Sequence, residues 1–201
     1  MHMRGTKVIG VAAAAMAITG GGVLAMTTTS QARPPVAVAT LIDNTGVKVG
    51  SVQFRMSDNG TLVGNVRVRL PADSPEFHGM HVHANDAATG CVPGTGFTGV
   101  GGHWDIGGHT HGAHTGDLPS VERQSDGWVF DRFDVDKFAA VDLLGKALII
   151  HAGPDNFGNI PLGVAANQYT DNGTAYNGTG GTAFTGNAGS RFACGVITAP
   201  S

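Results

Sequence analysis

Lys48–Leu70 reads KVGSVQFRMSDNGTLVGNVRVRL, and its pattern decides the class of fold. Lys48–Met56 alternates polar and apolar residues, as does Leu62–Leu70, where Val66, Val68 and Leu70 fall on one face. Alternation of period two is the mark of a strand with one face buried. Asp58-Asn59-Gly60 lies between the two runs, and Asn-Gly supplies the positive φ that a tight hairpin needs. The stretch therefore predicts an antiparallel pair, the seed of a meander.

The flanks extend it. Val36–Ile42 is a further strand, separated by the turn Asn44-Thr45-Gly46, and Met80–Ala84 resumes the pattern after the break at Pro71–Pro75. Val121–Gln124 and Trp128–Val135 read as a hairpin around Ser125-Asp126-Gly127. Ala147–His151 is the most apolar candidate, and Arg191–Thr198 closes the chain. Two long glycine-rich segments, Asn85–Pro119 and Ala152–Ser190, remain; loops of such length in a compact domain are usually functional. With 32 glycines and only 13% charged residues, the expected fold is all-β: an eight-stranded Greek-key β-barrel or sandwich with two long functional loops.

Residues 1–32 differ in composition. Arg4 and Lys7 precede a run of small apolar residues to Met26, and Ser30-Gln31-Ala32 resembles a signal-peptidase site. We read 1–32 as a signal peptide and 33–201 as the domain, with the product exported to periplasm, cell envelope or extracellular space and not stably inserted in a membrane. An uncleaved anchor is the competing reading, disfavoured by the many glycines and alanines. Removing Arg4 and Lys7 leaves 10 cations against 15 anions, a net charge of −5. No basic stripe interleaved with aromatics marks a nucleic-acid partner. Cys91 and Cys194, the two cysteines, predict one disulfide in an oxidising compartment. Asn-Gly-Thr triplets at Asn59, Asn172 and Asn177 match a glycosylation pattern, but turn chemistry accounts for them.

Phe77–Asp117 holds seven of the nine histidines. His81 and His83, two apart in a strand, share a face and can converge on one ion, while His78 has the opposite parity and reads as a supporting residue. His103 and His151 can complete four nitrogens, the tetragonal set that Cu(II) prefers. His103, His109, His111, His114 and Asp117 offer three histidines and a carboxylate, a closed tetrahedral set for zinc.

The motifs FHGMHVH, GGHWD, HTGDLP, IIHAGPDN and GNAGSRFACGVI, in this order, resemble the copper/zinc superoxide dismutases from about Val36 to Ile197. The resemblance implies copper held by His81, His83, His103 and His151, and zinc held by His103, His114, Asp117 and one histidine from the loop. Only five residues separate His103 from His109, so His111 or His109 completes the zinc set; Gly112 slightly favours His111. It further implies that Asp155 ties a copper ligand to a zinc ligand, that Arg191 positions superoxide, and that Cys91 and Cys194 pair. The activity implied is conversion of superoxide to dioxygen and hydrogen peroxide by alternating Cu(II) and Cu(I), with His103 taking part in proton transfer. A non-catalytic copper/zinc-binding protein on the same scaffold is the alternative. The 152–190 loop carries Asp155 and Asp171 and no lysine or arginine, so the family's usual charged guidance of substrate is absent from it.

Overall fold

The computed structural model describes residues 33–158, 170–171, 174–175 and 182–201. Arg33–Ser201 makes one compact unit. Residues 1–32, Asn172, Asn177 and most of the second long loop lie outside the described residues.

The strands in chain order are β1 (Ala37–Asp43), β2 (Lys48–Met56), β3 (Leu62–Arg69), β4 (Phe77–His78), β5 (Met80–His83), β6 (Val121–Glu122), β7 (Trp128–Val135), β8 (Ala147–His151), β9 (Thr170–Asp171), β10 (Thr174–Ala175) and β11 (Arg191–Thr198). Seven of them form one antiparallel sheet in the order β5-β8-β11-β1-β2-β3-β7. The chain crosses between the two ends of this order three times, after β3, after β5 and after β7, and these long crossings free loop length for a site.

The hairpin expected at 121–135 forms differently. Its turn is present, with the Gln124 N–H donating to the Trp128 carbonyl at 2.8 Å, but β6 pairs with β4, and β7 pairs with β3. The reason is positional. β4 runs into edge strand β5 and β6 turns into edge strand β7, so the β4–β6 pair joins the two edges of the curled sheet and covers backbone groups left open there.

Alternation sorts the faces as expected. Val52 and Phe54 of β2, Val66 and Val68 of β3, and Val129 and Phe133 of β7 meet in the interior. Gly64 lies opposite Phe133, whose ring fills the space where a Cβ would stand, 2.2 Å from Cζ. This lets Phe133 meet Phe54 edge-on at 6.3 Å. β8 is buried on both faces, which is why it reads as a continuous apolar run. Leu148 and Ile150 enter the main core, while Ala147 and Ile149 pack with Phe97, Val100 and Cys194 beneath the first long loop.

Candidate metal centre

Register puts His81 opposite Ile149 and His83 opposite Ala147, so both histidines take the outer face while Met80 and Val82 enter the core. His151, two residues past Ile149, shares that face. The first long loop is stitched to β5. Ala84 N–H donates to the Gly102 carbonyl (3.0 Å), Trp104 N–H to Val82 (2.8 Å), Val82 N–H to Gly116 (2.8 Å) and Leu118 N–H to Met80 (3.3 Å). Gly116 is needed for this approach, since a Cβ there would stand 2.3 Å from the Val82 carbonyl oxygen. Both loop ends thus deliver His103 and Asp117 to the strand histidines.

His81, His83, His103 and His151 offer ligand atoms all within 4.8 Å of one another. One nitrogen of each ring is engaged: His81 Nε2 with Asp155 Oδ2 (2.6 Å), His83 Nδ1 with the Gly101 carbonyl (2.9 Å), His103 Nδ1 with Asp117 Oδ1 (3.0 Å) and His151 Nδ1 with the Gly189 carbonyl (3.0 Å). The remaining nitrogens, His81 Nδ1 and the Nε2 atoms of the other three, are buried without a hydrogen-bond partner. Leaving one such group unmade costs about 1–3 kcal/mol, so four converging in one place call for a common partner. Four imidazole lone pairs suit copper. Burial pushes His81 and His83 below the ordinary range, His83 well below, and takes His151 to about 3 and His103 to about 4. At neutral pH these lone pairs therefore carry no proton.

A second group meets across His103. Asp117 Oδ1 lies 3.0 Å from His103 Nδ1 and 3.3 Å from both His111 Nδ1 and His114 Nδ1, a donor set that suits zinc. Asp117 Oδ2 accepts the N–H groups of Gly112 (2.7 Å) and His114 (3.0 Å), which fixes the carboxylate. The ligand atoms that lie within 4.8 Å of one another here are those of His81, His103, His111 and Asp117; His81 turns its nitrogens to Asp155 and the first quartet, and His114 meets the set through Asp117. For His111, burial opposes charge, yet hydrogen bonds to Asp117 and Asp155 win and raise it to about 9. Asp117 and Asp155 are lowered by their histidine partners although burial pushes them up.

The structure brings His111 into the cluster and His109 away from it. His109 is 52% exposed, its Nδ1 2.9 Å from Asp105 Oδ1. Asp105, which sequence reasoning passed over, also accepts the N–H groups of His109 and Thr115 and so folds the loop. Lys137 was missed too: its Nζ donates to the carbonyls of Asp117 (3.1 Å) and His114 (3.3 Å). Nothing in the spacing of a lysine after β7 points to a loop twenty residues earlier.

Asp155 spans the halves, Oδ2 on His81 and Oδ1 2.8 Å from His111 Nε2. Gly186, at φ +60°, permits this, for a Cβ there would fall 1.8 Å from Asp155 Oδ1. His78 is buried below His151, its Nδ1 2.7 Å from the His151 carbonyl, a supporting place. Arg191 donates from Nη1 to the Phe97 carbonyl and from Nη2 to the Gly101 carbonyl, both at 2.5 Å. Gly101 therefore joins Arg191 to His83. Cys91 and Cys194 form a disulfide with Cα atoms 5.5 Å apart, against Phe97 and Val100.

Residues 48–197 match the family described as copper/zinc superoxide dismutase. Similar curated proteins include "Superoxide dismutase [Cu-Zn]" of Mycobacterium tuberculosis, 36% identical over 79% of this chain and 68% of that protein. The protein of the same name from Mycolicibacterium paratuberculosis is 39% identical, over 77% and 70%. Among solved structures, a double mutant of a SOD-like protein from Bacillus subtilis superposes with a TM-score of 0.56 at 25% identity, over 80% of this chain and 96% of that one.

Proposed function

This chain belongs to the copper/zinc superoxide dismutase family and is a superoxide dismutase that uses copper and zinc, and we propose that the buried histidine quartet with Arg191 carries its reaction. His81, His83, His103 and His151 hold copper; His103, His111, His114 and Asp117 hold zinc. The observation that carries this assignment is the convergence of four buried, unprotonated, unpartnered imidazole nitrogens.

The reaction consumes two superoxide ions and two protons and yields dioxygen and hydrogen peroxide. The quartet of His81, His83, His103 and His151 would hold the copper, which would supply the one-electron exchange with each superoxide between Cu(II) and Cu(I). The chain does the rest. Residues 33–201 carry a charge of −5, so attraction of an anion needs a local positive field. The Arg191 guanidinium, tied to two carbonyls, provides it and orients superoxide through N–H donors. His103 faces both halves, so its Nε2 can hold a proton for the peroxide product while Asp117 keeps the ring in place from Nδ1. Asp155 holds the His81 and His111 rings in one orientation, the partner role that metal-bound imidazoles require.

We also assign residues 1–32 to a leader removed on export; the compact unit beginning at Arg33 and the disulfide support this. Among the described residues no helix is long and apolar enough to cross a membrane. The test of the assignment is His151→Ala in metal-loaded protein. Dismutation should fall by more than about 100-fold, beyond the roughly 10–100-fold cost of losing a ligand's supporting partner. Full activity in the variant, or copper-loaded parent without activity, would overturn it.

A further inference from the structure

The outer face of β2, β3 and β7 carries no part of the metal centre, which lies on β5 and β8 beyond β11 and β1 in the sheet. Register places Arg67 beside Phe130, Arg69 beside Trp128, Arg132 beside Asn65 and Arg55 beside Val63, all on that face. Four of the ten cations of residues 33–201 gather here. Asp134 is the single carboxylate at an outward position of these three strands. Arg67, Arg69 and Arg132 are exposed, and among the described residues none lies within 4.0 Å of a carboxylate.

The aromatics between them are not core. Phe130 is 51% exposed, and it stacks on Trp128 with centroids 5.5 Å apart and planes at 25°. The Arg67 guanidinium lies over both rings, 5.1 Å from Trp128 and 5.7 Å from Phe130, and Arg69 lies 5.8 Å from Trp128. A guanidinium resting on a ring is held in place by its face and keeps its N–H edge free for an anion.

We propose that this face docks the enzyme on an anionic lipid surface, with the arginines on headgroup phosphates and Trp128 and Phe130 at headgroup depth. The charge of the patch is opposite to that of the chain as a whole, so the molecule presents one attractive side to such a surface. The aromatics decide between lipid and a soluble polyanion. A hydrated phosphate chain gains nothing from an exposed phenyl ring, whereas indole and phenyl groups beside cations suit the boundary of headgroups and acyl chains. Docked this way, the metal centre stays on the far side of β11 and β1, open to dissolved superoxide.

Vesicle sedimentation with residues 33–201, the compact unit that holds every strand among the described residues, tests this with a readout other than activity. The comparison is phosphatidylglycerol mixed into phosphatidylcholine against phosphatidylcholine alone, at about 0.1 M salt. Each arginine near a charged surface is worth about fivefold, so replacing Arg67, Arg69 and Arg132 together by Gln should weaken binding to the anionic vesicles about 100-fold. Dismutation in solution should not change. Phe130→Ser should weaken binding at every salt concentration, and added salt should weaken that of the parent. Equal binding of the parent to neutral and anionic vesicles, or unchanged binding by the triple variant, would overturn the proposal. Capture of soluble inorganic polyphosphate as tight as that of anionic vesicles would overturn the lipid assignment.

Discussion

The two halves of the metal centre share His103 and are joined by Asp155, yet they are built on opposite principles. In the half proposed for copper, the strands supply His81, His83 and His151, and burial keeps every donor neutral. In the half proposed for zinc, a loop supplies the candidate ligands, and carboxylates hold them: Asp117 faces three histidines, Asp155 braces His111 and Asp105 shapes the turn. Where the backbone is fixed by a sheet, desolvation is enough to ready a ligand; where it is not, charge must position it. The same contrast leaves His103 low at about 4 and His111 high at about 9, with their Nδ1 atoms only 3.3 Å apart.

Asp155→Ala removes the carboxylate that braces a histidine in each half and should have the largest effect on that contrast. His111 loses its brace as His81 loses its partner, so zinc affinity should fall by about 10–100-fold, with a smaller loss for copper. Competition with a coloured chelator measures both; zinc affinity within about twofold of the parent would break the link between the halves.

Proton release separates them next. His111 in the metal-free protein holds its proton up to about pH 9, so zinc must displace it, and zinc affinity should fall about tenfold for each pH unit below that value. The histidines proposed for copper are already neutral at pH 7, so copper uptake by the metal-free protein should release almost none, and the second metal to reach His103 would displace its remaining ring proton. Titration calorimetry in buffers of different ionisation enthalpy counts the protons. In the metal-free protein the signs differ as well. The raised His111 adds stability below about pH 6.5 that is lost as pH rises through about 9. The depressed His103 and His151 favour the fold above pH 6.5 and turn against it as pH falls toward 3–4.

Lys137 gives the smallest effect. Its ammonium holds two carbonyls of the zinc loop from the end of β7, so Lys137→Met should speed zinc release by several-fold, about 1 kcal/mol, and Arg should restore part of it. Copper release should not change; an equal effect on both metals would mean that the lysine supports the fold as a whole.

The same contrast explains what the sequence made legible. β2 runs from Lys48 to Met56 as the alternation predicts, because one buried face specifies register. The pairing of His81 with His83 on one face and the separate place of His78 follow from that periodicity. The choice between His109 and His111 does not, since in a glycine-rich loop it depends on Asp105 drawing His109 outward. The partner of Val121–Gln124 was misread for a related reason: a turn signal shows where a chain reverses, whereas the edge it meets is set by the closure of the whole sheet.

The central claim is that four neutral imidazoles form one copper site, and electron paramagnetic resonance of the protein loaded with Cu(II) tests it most directly. The account predicts nitrogen hyperfine structure from four equatorial imidazoles in the parent and from three in His151→Ala. A spectrum with mainly oxygen ligands, or one that His151→Ala leaves unchanged, would contradict it.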